Sequence, residues 1–178
     1  MAVDRKDTVA NGIIEHLPRL YRYAVRLCGS KDLAQDAVQD AVSRALEHSD
    51  HYDPARPLLP WLLTLVRHSV VDRSRAFDPI RHADDVDSCA PSILAQGGDP
   101  AEVVANAEQT ARVEAALARL PIEQRSAVVL FYLEGLTLDE IASAEGVPVG
   151  TIKSRLHRGR EAMAAFLLGT HPEGDEAT

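Results

Sequence analysis

The sequence predicts an all-α chain of two small helical domains joined by a flexible acidic linker, the second domain carrying a helix-turn-helix. Three observations predict it. Apolar residues recur at helical spacing through both ends of the chain and fail to do so over residues 78–100. Capping residues, glycines and prolines punctuate that pattern where helices must start and stop. Aromatic residues make up only 4% of the chain while apolar residues reach 46%, so Leu, Val, Ala and Ile must fill the core, which suits helices. The one strand-like run, Val128-Val-Leu-Phe-Tyr-Leu133, lies between Pro121 and Gly135 in a helical neighbourhood and is read as a buried helix.

The first block spans residues 12–77. Ile13, Ile14, Leu17, Leu20, Tyr21, Ala24 and Val25 define its first helix. Pro18 is expected to start the regular part or to kink it. Gly29 is a helix stop and Ser30 a cap for the next helix, Asp32 to His48. That helix has two faces, an apolar stripe from Leu33 to Leu46 and a polar one containing Asp32, Asp36, Gln39, Asp40, Ser43 and Glu47. Ser49 to Pro57 reads as a loop. A third helix is expected from Pro60, burying Trp61, Leu62, Leu65, Val66 and Val70, with Arg67, His68, Arg73 and Arg75 on its later turns.

Residues 78–100 read as a linker. Residues 81–100 hold Asp84, Asp85, Asp87 and Asp99 against Arg81, with three prolines from 79 to 100 and the pair Gly97-Gly98. Few apolar residues there can offset the entropy of ordering. Ser88 to Leu94 is alternatively a short docked segment.

The second block spans residues 101–168. Asp99-Pro100 caps a helix running to about Arg119, Pro121 opens another to Glu134, and Gly135 stops it. Thr137 with Glu140 forms a capping box for a helix beginning at Leu138. Gly146 marks a sharp turn and Pro148 the first turn of a new helix. Ile152 and Leu156 are four apart and can pack back on the preceding helix. The opposite face carries Lys153, Ser154, His157 and Arg158, suited to a major groove, with cations near phosphates and polar groups near base edges. The tail, 169–178, is polar and expected to be disordered.

The net charge of −8 excludes a protein that coats nucleic acid by bulk attraction. A DNA reader with that charge must concentrate its cations, and residues 151–160 contain Lys153, Arg155, Arg158 and Arg160 with no acid. Cys28 and Cys89 form no metal or redox spacing, which fits a reducing cytosol. No charged-then-apolar leader opens the chain and no run of about 18 apolar residues occurs, so a soluble, unexported protein is expected. His68 and Asp72 can share a helix face, but two ligands do not make a metal site. No phosphate loop, nucleophile elbow or Cys/His cluster is present. The chain is read as no enzyme, with no catalytic residues, metal, cofactor or small-molecule substrate.

The motifs together resemble the bacterial RNA polymerase sigma factors of the extracytoplasmic-function (ECF) group, the minimal two-domain type. Leu20-Tyr-Arg-Tyr-Ala24, Asp32 to Leu46, Pro60-Trp-Leu-Leu-Thr-Leu-Val-Arg-His68 and Val71-Asp-Arg-Ser-Arg75 resemble the family's region two. Leu120-Pro121, Gly135 to Ala142 and Val147 to Arg158 resemble region four. The sequence departs from a common family pattern at Leu59-Pro60, where a basic or polar residue and a small one often precede the Trp.

The resemblance implies partners and sites. Core RNA polymerase is expected on the acidic face of the second helix, at Asp36, Gln39 and Asp40. Promoter DNA at the minus-ten element is expected at Tyr52, Arg56, Arg67, His68, Arg73 and Arg75, where melting needs stacking partners and cations along a single strand. The minus-thirty-five element is expected at Lys153, Ser154, Arg155, His157 and Arg158, with Arg155 having a rival role as partner of acids on the preceding helix. Trp61 is read as core. The linker is read either as a segment threading the polymerase or as a solubilising tether. An anti-sigma factor is an expected partner, membrane insertion is not, and the protein is placed in the cytoplasm, on the nucleoid when bound to polymerase. Two other readings compete: a sigma-like decoy that sequesters an anti-sigma factor, and a polymerase-independent helix-turn-helix regulator.

Overall fold

A computed structural model of the chain describes residues 5–76 and 100–169, with side chains over 5–74 and 108–169. The linker reading of 78–100 lies outside the described residues except for Pro100, which opens a helix, and the tail reading of 169–178 except for Gly169, the left-handed cap that ends one. Seven α-helices account for nearly all of what is described, and no strand occurs among the described residues.

Helix α1 (Arg5–Cys28) runs through Pro18 and begins well before it. The turns before Pro18 bury Val9 and Ile13, and that packing holds a helix that the proline alone would interrupt. Gly29 (φ 71°) ends it. Ser30 Oγ accepts from Leu33 N at 3.4 Å and opens α2 (Lys31–Glu47). A 3-10 turn (Ser49–His51) leads into α3 (Leu58–Ala76). Pro60 sits in the first turn of α3, where its missing amide has no intrahelical acceptor to lose. These three helices pack on one another as a bundle.

Helix α4 (Pro100–Ala118) leads into α5 (Ile122–Val128), which continues through one π-helical turn, Val129–Leu133. The strand-like run is therefore helical, with Val128, Val129 and Leu130 buried. Helices α6 (Leu138–Glu145) and α7 (Val149–Leu168) form the helix-turn-helix. The capping box is present in both directions: Glu140 N donates to Thr137 Oγ1 at 3.2 Å and Thr137 N donates to Glu140 Oε2 at 2.8 Å. The amide and the hydroxyl of Thr137 both donate to Glu140 Oε2 at 2.8 Å and hold that carboxyl below the usual carboxylate range. Ile152 and Leu156 are buried, and so is Gly159, where an added Cβ would lie 2.9 Å from Val128. That close approach seats α7 on α5.

The two bundles are not held apart. Helices α1 and α3 pack against α4, α5 and α6, and one buried apolar cluster runs through both.

Gly146 adopts φ 66°, and nothing lies within 4 Å of where its Cβ would be. A side chain there meets no clash but must hold a left-handed conformation, a cost of about 1–2 kcal/mol. Gly146→Ala is therefore expected to lower unfolding free energy by about 1 kcal/mol in urea titration. An unchanged midpoint would show that the left-handed turn carries no such cost for alanine.

Candidate nucleic-acid interface

The second helix of the helix-turn-helix presents its polar face to solvent. Lys153, Ser154, His157 and Arg158 are all exposed, on the side opposite Ile152 and Leu156. His157 Nε2 lies 3.4 Å from Glu161 Oε1. Arg155 turns the other way, is partly covered, and pairs with Glu145 of α6. Its rival role as an acid's partner is the one it fills here. A helix with one buried apolar edge and an opposite edge of cations and small polar groups can enter a major groove without disturbing its own packing.

On α2, Asp36, Gln39 and Asp40 lie on one face, the first two exposed and Asp40 half-buried. Arg73 of α3 reaches over to it, with Nε 2.8 Å from Asp40 Oδ2 and Nη1 3.1 Å from Asp36 Oδ2. A residue expected at the minus-ten element is thus placed on the acidic face. Arg44 and Asp72 pair beside it at 3.1 Å. Exposed pairs of this kind contribute about 0–1 kcal/mol each, so a basic partner can displace Arg73 without unfolding anything.

The remaining minus-ten candidates are divided by the structure. Tyr52 is 6% exposed, its ring tilted against Trp61 at 5.5 Å, and its hydroxyl donates to Arg56 O at 2.7 Å. It is built into the loop's own core and offers no open face to a base. Trp61 packs on the apolar cluster, as its core reading expected. Arg56 is exposed, lies 3.4 Å from Asp53 Oδ2, and donates to Ser143 Oγ at 2.6 Å. Arg67 is only 13% exposed in its side chain and pairs with Glu145 at 3.5 Å. His68 is exposed, and partial desolvation followed by the Arg67 charge pushes its imidazole below the usual range. The side chain of Arg75 lies outside the described residues.

A polar seam between the bundles was not expected from the sequence. Arg19 Nε bonds Glu134 Oε2 at 2.9 Å, and Arg26 Nε bonds Glu114 Oε1 at 3.2 Å. Arg125 donates to Leu27 O at 2.6 Å, and the Tyr23 hydroxyl lies 2.9 Å from Ser126 Oγ. Partners 115 and 88 residues apart leave no local signal. His48, Asp50 and His51 bring ligand atoms within 4.8 Å, but the imidazoles stack parallel at 5.3 Å, so their in-plane lone pairs do not converge on one ion. No helix among the described residues is long and apolar enough to cross a membrane.

Residues 13–78 match the family described as Sigma-70 region 2, and residues 110–163 match Sigma-70, region 4. The chain is similar to the ECF RNA polymerase sigma factor EcfG of Rhodopseudomonas palustris, at 34% identity over 90% of this chain and 86% of that one. It is also similar to the ECF RNA polymerase sigma factor SigL of Mycobacterium tuberculosis, at 35% identity over 86% and 85%. Among solved structures it resembles the sigma factor RpoE of Bartonella quintana in complex with the anti-sigma factor NepR. That likeness has a TM-score of 0.65 and 26% identity, covering 91% of this chain and 98% of that one.

Proposed function

The chain belongs to the ECF RNA polymerase sigma factors, and from that premise we propose how its surfaces divide the work of transcription initiation. It binds core RNA polymerase, directs it to promoters and helps open the DNA. The region-two part, 12–77, docks on polymerase through Asp36, Gln39 and Asp40 and acts on the minus-ten element with Arg56, Arg67 and His68. The region-four part, 101–168, reads the minus-thirty-five element with Lys153, Ser154, His157 and Arg158. The work takes place in the cytoplasm, on the nucleoid once polymerase is bound. An anti-sigma factor controls it, a reading supported by the solved relative that carries one.

The observation that carries the reading is the exposed basic face of α7 on a chain that is otherwise acidic, with a net charge of −8. A decoy for an anti-sigma factor has no use for such a face. A polymerase-independent regulator has no use for the acidic face of α2.

Run-off transcription with purified core polymerase tests it. Transcripts from a subset of a promoter library are expected only when this chain is added. Free chain is expected to bind duplex promoter DNA poorly at physiological salt, because its net charge opposes an acidic polymer until polymerase positions the cations. Tight sequence-specific gel shifts by the free chain, with no transcription, would establish the regulator reading instead.

A further inference from the structure

In each ion pair of the seam the cation comes from the first bundle and the carboxylate from the second. Glu145 is the most deeply placed of those carboxylates, with its side chain 1% exposed. Arg67 of α3 reaches it from the first bundle at 3.5 Å, and Arg155 of α7 reaches it from the second. Ser126 Oγ donates to it at 2.9 Å and lies 2.9 Å from the hydroxyl of the fully buried Tyr23. One carboxylate is thus shared by cations of both bundles, and the buried tyrosine of α1 lies next to it.

The tie to Arg67 is incomplete. Its Nε is buried yet makes no hydrogen bond, although it stands within ion-pair distance of the carboxylate. With one hydrogen bond unmade, the attraction between the charges outweighs their desolvation only by a narrow margin. Such a contact closes reversibly, since both charges regain water when it parts. Arg155 has no such conflict, being joined to Glu145 within one helix-turn-helix.

We propose that Glu145 is a counter-ion clamp: in the free protein it holds the two bundles closed and keeps Arg67 from nucleic acid, and after opening it stays with Arg155 to position the reading helix. The consequence for initiation rests on the function proposed above. The two promoter elements are about 25 base pairs apart by their names, roughly 85 Å of duplex. Two bundles held together at one carboxylate cannot reach both elements at once, so promoter recognition requires the clamp to part.

The test is a double-mutant cycle on the opening equilibrium of the full chain, without polymerase or DNA. Spin labels go on exposed positions, Ser43→Cys on α2 and Ala164→Cys on α7, with Cys28 and Cys89 replaced by serine. Glu145→Gln and Arg67→Met are each expected to raise the long-distance fraction about ten-fold with helicity unchanged. The double variant is expected to open no further than the stronger single one, because both remove the same tie. A wild-type distance distribution in folded Arg67→Met would overturn the clamp, as would opening in the double variant that multiplies the two single effects. Because the readout needs no polymerase, its failure is separate from any failure in run-off transcription.

Discussion

Replacing Asp36 and Asp40 together by lysine is expected to lower affinity for core polymerase about 100-fold or more, because like charges brought together across an interface cost several kcal/mol. Both carboxylates point outward from α2, and their internal partner is Arg73. In the variant Arg73 loses two acceptors and faces two ammonium groups. Both pairs lie at the surface, one exposed and one half-buried, so the fold should lose only about 1 kcal/mol. Arg73→Ala separates the two effects. It frees the acids for the partner and should leave core binding equal or slightly stronger, with the same small loss of stability. Affinity is measured by competition for fluorescently labelled core, with circular dichroism as the control for helicity. If the double lysine variant bound core as the parent does, the acidic face of α2 would have no part in docking.

Most of the fold was legible because its signals are local. The capping box of Thr137 and Glu140, the left-handed Gly146 and the pair Ile152 and Leu156 each act within a few residues. The start of α1 was not legible. Pro18 is a strong local breaker, and only the tertiary burial of Val9 and Ile13 overrides it. Tyr52 shows the same limit at the site. An aromatic residue in a polar loop suits base stacking, but the ring of Trp61 and the carbonyl of Arg56 already occupy it. Arg67 and Arg73 were readable as cations on the later turns of α3. Which acid each meets depends on how α3 lies against α2 and α6, and no spacing within α3 encodes that. Helix α7 was the easiest part, since one element supplies both its buried edge and its exposed one.

Arg158→Ala is expected to reduce transcription from promoters that depend on the upstream element by about ten-fold or more, since one good bidentate base contact is worth about 1–3 kcal/mol. The side chain is exposed on α7, one residue beyond His157 and five beyond Lys153, so the three share a face. Unlike Arg155, which Glu145 already engages, Arg158 is on the solvent side of the helix, and its loss should leave the fold intact. The defect should depend on the template. On a template already melted around the start site and lacking the upstream element, the variant should match the parent, because the contact it lost is not used there. Arg56→Ala should behave in the opposite way, impairing opening even where the upstream element is optimal, since Arg56 belongs to the other bundle. Initiation rates on the two templates, measured at one salt concentration because phosphate contacts are salt-dependent, decide the matter. Equal defects for both variants on every template would mean that the two bundles do not divide promoter recognition between them.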